Sequence, residues 1–261
     1  MQGMAKLTLT MILATAITGC VTEQTYSGTD VQVKERKFDP VAAAKERIQL
    51  GLTYLQKGNS EQAKFNLDKA QVYAPNLEEV HIAMAYYYQT VGDDPRAVIA
   101  YEDAIKSSSA SGDAFNNFGV YLCQQGQYRQ AEKRFLQAIE QPEYTRAAAS
   151  YENLGLCSQE AGELDKARDY FIAALKYEPR RRTSLLALVE IALQQDNYSQ
   201  AKQSLKQFQR VAADTPQSLE LGIRIELGLN DPEAAKRYGI QLLATFPSSN
   251  QAKEYRASLH Q

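Results

Sequence analysis

Residues 151–175 read YENLGLCSQEAGELDKARDYFIAAL, and the fold follows from this stretch. Ala167, Phe171 and Ala174 stand at i, i+4 and i+7, a small, bulky, small stripe on one helical face. The small residues let a neighbouring helix approach, and the bulky one fills the space between them. Leu154-Gly155 belongs to a second stripe upstream, and Gly162 breaks the chain between the two. Outward from here the same alanine recurs as Ala63, Ala97, Ala131, Ala167, Ala201 and Ala234, at gaps of 34, 34, 36, 34 and 33 residues. Gly58, Gly92, Gly126 and Gly162 stand five residues before the first four. Leu67, Tyr101, Phe135, Phe171, Leu205 and Tyr238 follow the alanines by four residues. Ala70, Ala104, Ala138, Ala174, Phe208 and Gln241 follow them by seven. Leu50-Gly51 with Tyr54, and Phe118-Gly119 with Leu122, repeat the upstream stripe.

Two antiparallel helices per ~34 residues resemble the tetratricopeptide pattern. Six copies are readable, at about 44–77, 78–111, 112–145, 148–181, 182–215 and 215–248. The sixth is degenerate, with Leu229 where the loop glycine belongs. The expected fold is all-α, a superhelical solenoid over residues 44–261 that ends in a capping helix at 249–261, because an open stack needs a polar-faced end. The prolines agree with this frame. Pro75, Pro142, Pro179, Pro216 and Pro247 fall near repeat ends and Pro40 precedes the first repeat. Pro95 and Pro232 follow Asp94 and Asp231 as an N-cap and first-turn pair.

The composition narrows the function. The chain has 261 residues, 44% of them hydrophobic, enough to bury a core. Its net charge is −2, with no basic excess to neutralise phosphates, which argues against nucleic acid as a partner. Two histidines and three cysteines leave little for a metal site, and no glycine loop of phosphate-cradling type is present. His81 takes the fourth position of the second repeat, where other repeats carry Phe115, Tyr151 or Leu185, and reads as a packing residue; His260 sits at the terminus. Glu78-Glu79 and Asp93-Asp94 fall at helix starts, where carboxylates suit the macrodipole. Neither an enzyme, nor a cofactor or metal protein, nor a small-molecule receptor is expected. Arg180-Arg181-Arg182 reads as a solvated turn between repeats, or as a dock for an anionic lipid or an acidic partner.

At the N-terminus, Leu7 to Ile17 form a short apolar run that ends in Ile17-Thr18-Gly19-Cys20. This resembles a bacterial lipoprotein signal, with residues 1–19 removed and Cys20 lipidated; an ordinary secretory signal is the alternative. Residues 20–43, without helical period, read as the lipidated Cys and a flexible tether. By the same resemblance, Val21 after the Cys, where an Asp would favour inner-membrane retention, points to the outer membrane, with the repeats in the periplasm.

In a tetratricopeptide stack the first helix of each repeat lines the concave face. The register then turns Ile48, Leu52 and Leu55 of repeat 1, Ile82, Tyr86 and Gln89 of repeat 2, Asn116 and Val120 of repeat 3, and Glu152 and Leu156 of repeat 4 into the groove. An apolar stripe flanked by amides suits an extended peptide or an amphipathic helix, unless neighbouring repeats cover it. Cys123 and Cys157 lie one repeat apart on adjacent first helices, and form either a disulfide, in an oxidising compartment, or two inert buried thiols.

Arg47 to Ala70, Phe115 to Ile139, Tyr151 to Leu175, Leu219 to Arg224 and Tyr238 to Pro247, together with the signal and tether, resemble the PilF/PilW family of type IV pilus biogenesis and stability lipoproteins. The resemblance implies a pilotin. Such a protein helps the pilus secretin reach the outer membrane, to which acyl chains on Cys20 would hold it, and assemble as a multimeric ring. It maps the family's groove role onto repeats 1 to 3. An adaptor for β-barrel assembly or for peptidoglycan enzymes is the rival reading.

Overall fold

The computed structural model describes residues 37–107 and 110–259, and among them thirteen α-helices and no strand. They pair as α1 (Pro40–Gln56) with α2 (Ser60–Tyr73), α3 (Glu78–Thr90) with α4 (Asp94–Lys106), α5 (Gly112–Gln124) with α6 (Tyr128–Ile139), and α7 (Ala147–Glu160) with α8 (Leu164–Tyr177). Then follow α9 (Arg182–Gln194) with α10 (Tyr198–Val211), α11 (Pro216–Gly228) with α12 (Pro232–Thr245), and a final α13 (Asn250–Ser258). These are the six expected helical hairpins and the capping helix. The signal peptide, Cys20 and most of the tether lie outside the described residues, as does His260.

Each hairpin closes on its stripe. Ala167, Phe171 and Ala174 are wholly buried, as are their counterparts Ala63, Leu67 and Ala70 in repeat 1. Gly155 shows why the facing helix needs a glycine: a Cβ there would sit 2.7 Å from the Phe171 ring. Burying a ring of that size contributes about 1.5–3 kcal/mol, so the missing Cβ is what admits the contact. The turn between the paired helices passes through the left-handed region in every repeat. Gly58, Gly92, Gly126 and Gly162 supply it in the first four, with φ of 69 to 78°. Asp196 (φ 53°) and Asn230 (φ 60°) supply it in the last two, the residue types that tolerate it next best.

Three sequence expectations change. The tether does not run to residue 43, because α1 already begins at Pro40, where the Asp39 carboxylate accepts from the amides of Val41 and Ala42 at 3.0 and 3.1 Å. The N-cap of α4 is Asp93, not Asp94; its Oδ1 accepts from the Arg96 amide at 3.2 Å and Pro95 stands in the first turn. In the sixth repeat the left-handed residue is Asn230, one position later than the frame predicts. Helix α12 therefore turns Ala235, Gly239 and Leu242 inward and leaves Gln241 exposed. Tyr238 still meets Gly222, and the space above Gly239 is taken by Tyr255 of the capping helix.

The first helices form the inner layer. α1, α3, α5, α7, α9 and α11 each pack backbone to backbone on the next first helix, α11 reaching α13, whereas among the described residues no two second helices approach so closely and long side chains such as Tyr170 bridge the gap. A stack whose first helices converge and whose second helices diverge is curved, with the first helices on its concave side.

Candidate partner-binding surface

The concave face is built from positions that each have two possible occupations: the next repeat, or an outside partner. Ile48 and Leu55 go to the core, and Leu52 packs half-buried against it as α1 meets α3. Val120 packs half-buried in the same way, and Ile82 is half-buried. The expected apolar stripe over repeat 1 is thus largely covered by its neighbour. Tyr86 is the exception in the first three repeats, at 45% exposed.

The amides are also committed internally. Gln89 donates its Nε2 to Gln124 at 2.7 Å and accepts from the Tyr101 hydroxyl at 2.9 Å. Asn116 accepts from Ser150 Oγ at 2.8 Å and Asn153 Nδ2 at 3.1 Å, tying α5 to α7. Glu152 takes four donors from the start of α9 and its N-cap: Arg181 Nη2 at 2.7 Å and Nε at 3.2 Å, Ser184 Oγ at 2.7 Å and the Ser184 amide at 3.2 Å. Burial alone would raise the Glu152 carboxyl, but the Arg181 and Ser184 hydrogen bonds and the Arg181 charge outweigh it and hold the group below its usual range. These side chains are stitches between repeats rather than ligand groups.

Comparable stitches run along the whole stack. The buried Glu78 accepts from the Ser111 amide at 2.8 Å. The Tyr121 hydroxyl donates to Asp94 Oδ1 at 3.0 Å, and burial, then this carboxylate, push the hydroxyl up to about 12. Lys202 reaches the buried Glu226 at 2.8 Å. Arg181, in the middle of the arginine run, is consumed by Glu152 and Glu178. His81 is half-buried beside Asp103 and Lys106.

The concave face opens further along, over repeats 4 to 6. Leu156, 39% exposed, stands at one edge of a cleft of about 520 Å³. Leu186, Ala187 and Pro216 continue its apolar wall, and Gln159, Thr183 and Glu190 form a polar flank. Glu190 accepts from Gln217 at 2.7 Å. Leu156 is the single member of the expected groove that lines this cleft. Thr183, Leu186 and Glu190 were missed, although the register that selected Leu156 selects them too when carried into the fifth repeat.

Cys123 on α5 and Cys157 on α7 face each other with α-carbons 5.8 Å apart and sulfurs at bonding distance. Among the described residues no three His, Cys, Asp or Glu side chains gather as a metal site, and no helix is long and apolar enough to cross a membrane.

Comparison with known proteins places this architecture. Models of the tetratricopeptide repeat match residues 116–171, 158–218 and 47–76. The chain is 33% identical over 249 residues to the type IV pilus assembly protein PilF of Pseudomonas aeruginosa, covering 95% of this chain and 97% of that one. An uncharacterized protein of Haemophilus influenzae is 42% identical over 123 residues, which is 47% of this chain and 69% of the relative. The solved structure of P. aeruginosa PilF superposes with a TM-score of 0.68 at 32% identity, over 84% of this chain and 99% of the other. That of PilW, described as a widely conserved type IV pilus biogenesis factor, gives 0.68 at 24% identity over 81% and 97%, a likeness of fold.

Proposed function

Because the chain belongs to the tetratricopeptide-repeat family of type IV pilus assembly proteins that includes PilF, we propose that it is a protein-binding scaffold of type IV pilus biogenesis. It is held to the outer membrane by acyl chains on Cys20 and promotes localisation and multimerisation of the pilus secretin. The observation that carries the binding role is the concave cleft over repeats 4 to 6, where Leu156 and Leu186 line an apolar wall that no neighbouring repeat fills. Tyr86, exposed on the same face two repeats earlier, extends the apolar contact available to one long segment. An apolar wall beside amides and hydroxyls suits a peptide segment whose side chains are buried and whose backbone is hydrogen-bonded.

The test is complementation of a deletion strain, scored for surface pili and for secretin multimers. Leu156→Asp places a carboxylate in the apolar wall and is expected to abolish multimers while circular dichroism stays unchanged, since the side chain is half-exposed and its desolvation on binding cannot be offset by an apolar partner. Tyr86→Asp is expected to weaken binding. If both variants restore wild-type pili and multimers, the concave face is not the binding surface. Co-purification with barrel-assembly or cell-wall enzymes in place of secretin subunits overturns the pilus role itself.

A further inference from the structure

Because the second helices diverge, each consecutive pair encloses a furrow on the outer face, floored by the first helix between them. In two of these furrows a large side chain at one register position fills the space. Tyr170 of α8 crosses to α6, its hydroxyl donating to Glu132 at 2.6 Å. One repeat earlier the same position holds Arg134, whose guanidinium lies 5.1 Å from the centre of the Phe118 ring. In α10 the position holds Ser204, and the furrow between α8 and α10 stays open as a trough of about 620 Å³.

The trough has a built character. Its floor is Leu188 and Ile191 of α9, with Ile172 on the α8 wall. Gln200, Ser204 and Gln207 line the α10 wall, one helical turn apart on one face. Ser204 is 3% exposed, the small residue that leaves this wall open. Arg168 and Lys176 stand at the two ends of the α8 wall. Arg168 is held by Asp165 at 2.7 Å and Asp169 at 3.5 Å, but Lys176 has no carboxylate partner among the described residues, and no carboxylate lines the trough.

We propose that this trough is a second, outward-facing peptide site, which takes an extended segment of a partner protein carrying an aliphatic side chain next to a carboxylate. The apolar floor selects the aliphatic group and the unpaired Lys176 the carboxylate. The two glutamines and the serine supply donors and acceptors in a row, which only a peptide with free backbone N–H and C=O groups can use; a helix has spent its own. From Arg168 to Lys176 the wall runs about 12 Å at 1.5 Å per helical residue, room for about four residues of extended chain. Since this site opens on the face opposite the concave cleft, the two can be occupied together, and the protein can bridge two partners.

The test titrates the full-length chain, in mild detergent, into a fluorescein-labelled hexapeptide in which valine and leucine alternate with glutamate, and into the same peptide with lysine for glutamate. Anisotropy is expected to show the acidic peptide binding about tenfold tighter or more. Lys176→Glu removes that preference. Ser204→Tyr, which fills the trough as Tyr170 fills its neighbour, removes binding of both peptides. Should Ser204→Tyr prove misfolded by circular dichroism, Lys176→Glu decides alone. Equal binding of the two peptides, no binding of either at millimolar protein, or full binding by Ser204→Tyr overturns the proposal. So does a dimer in sedimentation velocity that Ser204→Tyr dissociates, which would assign the trough to a second copy of the chain.

Discussion

Replacing Glu152 by Gln tests whether the stitches between repeats carry stability. The side chain is 12% exposed and its partner Arg181 20%. Glutamine keeps the shape and one acceptor oxygen, but it loses the charge and turns an amide N–H₂ toward donors that formerly met a carboxylate. Breaking one partner of a buried pair costs about 3–5 kcal/mol. Arg181 retains Glu178 at 2.8 Å, an exposed carboxylate, so the cost falls just short of that range and we expect about 2–3 kcal/mol. For a repeat domain of this length each kcal/mol moves the melting temperature by about 2–4 °C, giving a drop of roughly 5–10 °C at pH 7. The loss belongs to the α7–α9 seam, so amide exchange should quicken in α9 before α1 or α3. The pH dependence follows from the direction of the shift. Glu152 is held below the ordinary 4.5 in the folded protein. Its contribution is therefore complete above that value and is lost as pH falls through the folded one. The gap between wild type and Glu152→Gln, measured by thermal circular dichroism, should be full at pH 7, narrow below about pH 4.5 and close in stronger acid. A gap under about 1 °C at pH 7, or one that stays constant into strong acid, refutes the reasoning.

Two further outcomes are expected. Cys20→Ala should leave the repeats folded but release the protein from membranes, as read by fractionation after a high-salt wash; retention in the outer-membrane fraction would rule out the acyl anchor. Protein exported to an oxidising compartment should carry Cys123 and Cys157 as a disulfide, since their α-carbons stand 5.8 Å apart. A thiol count on unreduced, denatured protein then finds neither of them free, and the bridge contributes about 2–4 kcal/mol through a loop of some 35 residues.

The fold was legible because the repeat packs by volume, and volume is written in residue type. A glycine in the first helix and a bulky residue sixteen positions on, as in Gly155 with Phe171 and Gly119 with Phe135, are two halves of one contact. The same signal broke down in the sixth repeat for a local reason. The frame was carried on alanine spacing, whereas α12 takes its phase from the left-handed turn residue, and an unremarkable Asn230 does there what glycine does elsewhere. Both Ala234 and Ala235 are small enough to be buried, so neither corrected the frame. The cap of α4 was misassigned for a similar reason: Asp93 and Asp94 are chemically equivalent, and only the turn of the backbone after Gly92 decides which carboxylate meets the Arg96 amide.

The surface was less legible because a groove position shows what a side chain is but not whom it meets. Asn116, Gln89 and Glu152 have the polarity of ligand groups, and register alone turns them inward. Each is a single repeat away from a donor or acceptor of the next first helix, and an internal partner at fixed distance costs less ordering than an outside one. The neighbour therefore claims Asn116 through Ser150 and Glu152 through Arg181. What stays open is what the neighbour cannot reach, and that depends on pairs rather than on single residues. Leu156 remains accessible because Thr183 and Leu186, which line the same cleft, do not cover it, and the outer trough remains open because Ser204 replaces the ring that Tyr170 provides one repeat before. In a repeat protein a binding site is a place where the repeat fails to fill itself, so the residue to look for is the small one at a position where its counterparts are large.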